Sequence, residues 1–363
     1  MDTGLEQART LFLEGVAHYE AGRLPQAEQK FAAALSLAPG RPSVLTNLGA
    51  VRLKLGRTEE ALDLLREALA QEPSNAEALG HCGSALAELG RTAEALQQFE
   101  RALAADPRSP VLWTLRGTAL RELGRHEEAA AAFREALARG GDRELLQYYL
   151  AGVAQGEAPP RPPRPYVQAL FDRYAGAFDA HLVQALGYDA PAVLVQRLQA
   201  RGGSWRHALD LGCGTGLAGP LLRRLAGQVT GVDLSAAMLE RAAATGAYDQ
   251  LEQADVVEFL AGADGSYDLV LAADVFIYVG ALDEVFRGIA RCMPAGGVFC
   301  FTVEDGGEQA LALRSSLRYA HSRAAIERLA QEHGFGVVAV ERRTLRQEEQ
   351  RPVPGLFFWL EKR

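Results

Sequence analysis

Leu209-Asp210-Leu211-Gly212-Cys213-Gly214-Thr215-Gly216 is the stretch that decides how the second half of this chain folds. Its apolar residues and Asp210 read as the end of a buried strand, followed by three glycines at alternate positions. Glycine lets the backbone turn sharply and lets a ligand touch main-chain atoms, because no Cβ intervenes. Leu217 to Ala226 reads as a helix, with Pro220 tolerated in its first turn. Strand, glycine loop and helix N-terminus together predict a nucleotide-like ligand site at the top of a parallel sheet.

The loop alone fits two ligands. Gly214 to Gly219 satisfies the G-x-G-x-x-G spacing of pyrophosphate-binding loops. Counted from the first glycine after the strand, Gly212, the spacing is instead G-x-G-x-G. Asp210 also places an acid in the site, which repels a pyrophosphate and favours a cationic amino-acid ligand. Asp-x-Gly-x-Gly-x-Gly resembles the first motif of the class I S-adenosylmethionine-dependent methyltransferases.

Later segments keep to that resemblance. Val229 to Asp233 reads as a second strand ending in an acid about 20 residues after the loop, the spacing of a ribose-binding carboxylate. The resemblance implies that Asp233 accepts the ribose hydroxyls, Met238 covers the adenine, and the acid of Gln253-Ala254-Asp255-Val256 lies near the adenine amino group. Tyr267 to Asp274 matches the fourth motif. Leu282 to Met293 is an amphipathic helix, and Pro294-Ala295-Gly296-Gly297 turns it into the strand Val298 to Val303. The cofactor-binding set so implied is Asp210, Gly212, Cys213, Gly214, Gly216, Asp233, Leu234, Met238, Asp255, Ala272 and Asp274. Asp255 and Asp274 read equally well as loop caps, and Met238 as helix packing. Cys213 has no partner at metal or triad spacing and reads as a small filler.

The whole chain bounds these readings. At 363 residues it exceeds the size at which one core stops growing, so two domains are expected. Nearly half the residues are apolar, yet no apolar run approaches the length of about 18 that a membrane span needs. The start, Met1 to Glu6, shows no basic segment followed by an apolar core, so no signal peptide is expected. Cys82, Cys213, Cys292 and Cys300 are scattered, which suits a reducing cytoplasm and offers neither a disulfide framework nor a metal site. A net charge of −8 without a basic tract argues against nucleic acid as the main partner.

The first half repeats itself. Gly15, Gly49, Gly83 and Gly117 are 34 residues apart, as are Gly22, Gly56, Gly90 and Gly124, and Ala27, Ala61, Ala95 and Ala129. This is the tetratricopeptide period, and Leu48-Gly49 and Ala-x3-Phe at 27–31, 95–99 and 129–133 fit its pattern. Small residues such as Gly49 and Ala61 predict close helix approach, and Leu55-Gly56-Arg57 a helix end at positive φ. Four helix pairs over Leu5 to Arg139 and a capping helix from Arg143 to Val153 follow. An all-α solenoid over 1–153 is thus expected to precede an α/β doubly wound methyltransferase domain over 166–363, built on a seven-stranded, mostly parallel sheet. Ala154 to Pro165 reads as a semi-rigid polyproline linker. The array is expected to hold a protein or peptide partner, to dimerise the enzyme, or to pack on its own catalytic domain. Asn47, Arg52, Lys54 and Arg116 form an incomplete set for gripping a peptide carboxylate.

The acceptor should be defined outside the core motifs. Tyr166 to Leu182 is aromatic at roughly helical spacing, and the resemblance makes it a lid over the cofactor. Leu311 to Ser322, with Arg318-Tyr319-Ala320-His321-Ser322, and the final strand Leu356 to Leu360 complete a pattern similar to bacterial tetratricopeptide-repeat-fused methyltransferases. His181 and His321 are candidate bases. Tyr174 and Tyr278 are candidate positioning hydroxyls, and Arg318 suggests an anionic acceptor unless it pairs with a nearby acid. A small-molecule acceptor is expected, with a protein recruited by the repeats as the alternative. A cofactor-binding domain that transfers nothing is the reading of another class.

Overall fold

A computed structural model of the chain describes residues 3–154, 156–174, 187–348 and 351–363. It divides into two compact units, Met1–Ala154 and Gln155–Arg363.

The first unit is helical, and its helices follow from the repeat. α1 (Thr3–Glu20) pairs with α2 (Leu24–Leu37), α3 (Pro42–Lys54) with α4 (Thr58–Gln71), α5 (Ala76–Glu88) with α6 (Thr92–Ala105), and α7 (Pro110–Glu122) with α8 (His126–Ala138). α9 (Arg143–Val153) closes the array, its N-cap Asp142 accepting from the Leu145 N–H at 3.0 Å. The 34-residue step has a steric cause. A Cβ built on Gly15 would come within 2.6 Å of Phe31, and one on Gly117 within 2.5 Å of Phe133. The first helix of each pair thus leaves a notch that a large side chain of the second fills, as Phe99 does against Gly83 and Leu65 against Gly49. The carboxylate-gripping candidates are spent inside the array. Asn47 donates to the Ser43 carbonyl, Arg52 pairs with Glu28 and Glu60, Lys54 lies over the Tyr19 ring, and Arg116 pairs with Glu100.

The second unit alternates strands and helices. After α10 (Arg164–Tyr174) and α11 (Ala190–Ala200) come β1 (Trp205–Leu211), α12 (Gly219–Leu222), β2 (Ala226–Asp233), α13 (Ala236–Ala244), β3 (Gln250–Gln253), α14 (Val256–Gly262) and β4 (Leu269–Ala272). A 3-10 turn at Phe276–Tyr278 leads to α15 (Asp283–Cys292), β5 (Val298–Asp305), β6 (Leu311–Leu313), β7 (Tyr319–His321), α16 (Arg323–Glu332), β8 (Phe335–Glu348) and β9 (Arg351–Lys362). Strands β3, β2, β1, β4 and β5 pair in parallel in that spatial order. β9 adds antiparallel to β5, and β8 antiparallel to β9, so seven of the nine strands among the described residues form the main run, in which β9 alone runs against the rest. β6 and β7 form a small hairpin on the C-terminal end of β5. The core on one face is aromatic, with Phe301 and Phe358 opposite each other in the β5–β9 register and stacked at 5.1 Å.

Three expectations change in detail. The helix read over Leu217 to Ala226 is one turn, Gly219–Leu222, because the chain from Ala226 is already paired with β1. So short a helix has little macrodipole to offer a ligand. The last strand runs from Arg351 to Lys362, well beyond Leu356 to Leu360, because β8 gives it a long partner. Finally, part of the proline-rich stretch is bound to the second unit: the Pro159 carbonyl accepts from the Tyr319 hydroxyl and the Pro160 carbonyl from the Ala281 N–H, both at 2.8 Å.

Candidate functional site

The C-terminal ends of β1, β2 and β4 open on a cavity of about 380 Å³. Its floor is the glycine loop. Gly212 has φ +62°, and a Cβ there would also come within 2.5 Å of Val275, so the turn excludes any larger residue twice over. Gly214 donates its N–H to Asp233 Oδ2 at 2.9 Å, and Ser235 donates its own to Asp233 Oδ1 at 2.9 Å. The acid at the end of β2 therefore ties the loop to the start of α13. Ser235 also caps that helix through the Met238 N–H. Burial, partly offset by these donors, holds the Asp233 carboxyl above its ordinary pKa.

Asp210, at the end of β1, is buried, and its Oδ2 accepts from the Tyr248 hydroxyl at 2.7 Å. Burial pushes its pKa from 3.8 up to about 7; the Tyr248 hydrogen bond opposes the shift and the Asp233 charge adds to it. Tyr248 is a site residue that the sequence reading missed. Its ring occupies space that a Cβ on Gly216, Gly219 or Gly231 would invade. A glycine in the middle of β2 was the available signal of a close approach.

The wall between β4 and α15 carries charge. Asp274 has φ +61° and lines the cavity, and both carboxylate oxygens accept from Arg346 Nη1 at 3.0 and 2.9 Å. Arg346 also pairs with Glu304 through Nη2 and with Glu348 through Nε at 2.7 Å. Arg346 is buried because the β8–β9 register shifts between Thr344 and Arg346, which places Leu345 and Arg346 inside in succession. Arg318 lines the cavity beside it, donates from Nε to the Tyr278 hydroxyl at 3.1 Å, and pairs with Glu348. Its charge is already matched by an acid, so it carries no argument for an anionic acceptor.

Over the cavity lies α10, which contributes Val167, Leu170 and Phe171. Phe171 meets Tyr278 edge to face at 5.0 Å, and Asp172 accepts from the Ser235 hydroxyl at 2.5 Å.

Of the residues read from sequence, Asp210, Gly212, Cys213, Gly214, Asp233, Leu234, Met238, Asp255, Asp274, Tyr278 and Arg318 line this cavity. Gly216 and Ala272 stand outside the lining: Gly216 supports the loop from behind and Ala272 is buried within β4. Asp255 both lines the cavity and caps α14, accepting from Val257 and Glu258. Cys213 is buried, and its thiol is pushed up by burial, as befits a filler. Tyr174 ends α10, but its side chain, like all of His181, lies outside the described residues. His321 is a correction. It does not line the cavity; it is buried, its Nε2 faces the Gly280 carbonyl at 2.6 Å, and burial pushes its pKa down to about 4. An imidazole that must keep a proton on Nε2 to satisfy a carbonyl, away from the cavity, is no general base. Among the described residues no cluster of His, Cys, Asp and Glu could hold a metal ion.

Comparison with known proteins fits this geometry. Residues 209–301 match the family model of a methyltransferase domain, and residues 18–79, 52–119 and 111–139 match models of the tetratricopeptide repeat. Among curated proteins none matches the chain. Among solved structures the chain is similar to a S-adenosylmethionine-dependent methyltransferase from Clostridium acetobutylicum ATCC 824, at 15% identity and TM-score 0.41 over 53% of this chain and 99% of that one. It is also similar to magnesium protoporphyrin IX methyltransferase from Synechocystis PCC 6803, at 15% identity and TM-score 0.44 over 55% and 99%. A third likeness, to MamA, has 21% identity and TM-score 0.34 over 36% and 77%. The family matches fall on the glycine loop and on the 34-residue repeats, so the chain carries tetratricopeptide repeats followed by a methyltransferase domain.

Proposed function

We propose that the enzyme methylates a small molecule, with the repeat array holding a protein partner or a second copy. The observation that carries this is α10: Val167, Leu170 and Phe171 lie on the cavity, and Phe171 meets Tyr278 across it. A site covered in this way suits a compact acceptor better than an extended peptide chain. The four cysteines are buried and free, in keeping with a reducing compartment.

The cavity's residues suit S-adenosylmethionine part by part. Asp233, Asp255, Met238 and Asp210 all line the cavity: Asp233 keeps a further lone pair on each oxygen that would serve the ribose hydroxyls, Asp255 and Met238 would serve the adenine, and Asp210 would offer an anion to the ligand's ammonium. The bound cofactor supplies an activated methyl on a sulfonium. The protein's share is therefore orientation and exclusion of water. Phe171 and Tyr278 exclude water above the site, and Arg318 fixes the Tyr278 hydroxyl by donating to it, which leaves that O–H to donate to an acceptor.

Calorimetry with S-adenosylhomocysteine tests the cofactor assignment. Asp233→Ala removes two charge-assisted hydrogen bonds worth about 1.5–3 kcal/mol each, so affinity should fall at least about a hundredfold. Unchanged affinity would overturn it. The acceptor class is read by incubating extract with methyl-labelled cofactor and the full chain. Label in the low-molecular-weight fraction supports the proposal, and label only in protein supports a recruited protein acceptor instead.

A further inference from the structure

The turn after Tyr278 is gripped from two sides by residues that the chemistry above does not use. Gly280, buried and at φ +81°, follows the 3-10 turn carrying Tyr278. On one side its carbonyl accepts from His321 Nε2 at 2.6 Å. On the other, the Ala281 N–H donates to the Pro160 carbonyl at 2.8 Å, and a Cβ on Gly280 would run into that same carbonyl oxygen. Tyr319, two residues before His321 on β7 and so on the same face, donates its hydroxyl to the Pro159 carbonyl at 2.8 Å. One three-residue strand thus holds both the turn and the proline-rich segment.

The segment itself is anchored further. Arg161 pairs with Glu284 on α15, and Arg164 with both oxygens of Glu258 on α14 at 3.0 Å. Arg164 is also the first residue of α10, whose Phe171 meets Tyr278 and whose Asp172 meets Ser235. Prolines at 159, 160, 162 and 163 stiffen the path, so fixing it costs little chain entropy.

We propose that residues 159–164 are a strap which, with His321 and Tyr319 behind it, clamps the Gly280 turn and so sets Tyr278 and α10 against each other over the cavity. His321 is then a positioning residue: it acts through the Gly280 carbonyl, and its buried Nδ1 has no hydrogen-bond partner among the described residues. Breaking the His321 grip leaves the buried Gly280 carbonyl unsatisfied, which makes that contact the costliest of the set to lose. The effect on the ligand rests on the cavity being the cofactor site.

Hydrogen–deuterium exchange on the full chain tests the clamp without any ligand. In His321→Leu and Gly280→Ala, exchange in segments 156–172 and 275–282 should rise together, while other segments keep the unaltered pattern. S-adenosylhomocysteine affinity should fall roughly tenfold with it, a shift near 1.4 kcal/mol. His321→Gln, which returns a donor near Nε2, should restore both readouts. Tyr319→Phe keeps the ring and loses only the hydroxyl, so it reports on the strap even if Gly280→Ala fails to fold. Folded variants with unaltered exchange in both segments would overturn the proposal. So would faster exchange in both with unaltered affinity. An unaltered chain that does not bind S-adenosylhomocysteine would sink the cofactor assignment instead, and the exchange data would still decide the clamp.

Discussion

Asp210 is expected to couple ligand binding to protons. With its pKa pushed up to about 7 by burial, it is largely protonated at pH 6 and largely ionised at pH 8. An ammonium ligand favours the ionised form, so S-adenosylhomocysteine should bind more tightly as pH rises through 7, releasing a proton. Calorimetry in buffers of different ionisation enthalpy measures that release. In Tyr248→Phe the hydrogen bond that stabilises the carboxylate is gone, and the midpoint should move to higher pH. A midpoint that stays put would show that Asp210 is not the titrating group. The ligand-free protein should show the opposite trend. The folded state holds the Asp210 proton up to about 7 and the unfolded chain releases it near 3.8, so this group's contribution to stability declines as pH rises between those values. Asp210 was legible as a site acid from its place before Gly212. Its pKa was not, because that depends on Tyr248, 38 residues away.

At the scale of elements, β8 matters more than its sequence suggested. Its register shift buries Arg346 among Asp274, Glu304 and Glu348, of which Asp274 forms part of the cavity wall. Arg346→Met keeps much of the stem and removes the charge, leaving Asp274 and Glu304 without their shared cation. Loss of one member of a buried ion cluster costs about 3–5 kcal/mol, which denaturant unfolding of the second unit would read. A loss below about 1 kcal/mol would mean that the acids are solvated or protonated without it. Nothing in the local sequence distinguishes Arg346 from Arg342 and Arg343, which are exposed at 70% and 47%. Alternation predicts which faces a regular strand presents, and a bulge breaks that rule.

For the whole molecule, the repeats and the methyltransferase unit each have their own core. Gly83→Ala puts a methyl group into the Phe99 ring and should destabilise the array by about 1–3 kcal/mol. S-adenosylhomocysteine affinity should stay the same, since every residue assigned to the cofactor lies in the second unit. Thermal unfolding with and without the ligand checks both: the mutation should lower one transition, and the ligand should raise the other. A Gly83→Ala protein that binds the ligand more weakly would reveal coupling between the units.

The sequence by itself determined the two architectures and the floor of the site. A 34-residue step of glycines and aromatics is written in neighbouring residues, because the helix pair that it builds is local. The glycine loop and the acids ending β1 and β2 are legible for the same reason, each belonging to a short strand-and-turn signal. Only the tertiary structure decided the rest. Tyr248 reaches Asp210 through space that three glycines vacate, and Arg346 reaches Asp274 across 72 residues. His321 turns away from the cavity to hold Gly280, while the proline-rich stretch closes on the same turn. Such pairings depend on which surfaces meet once the sheet is assembled, and residue type and spacing along the chain do not encode that.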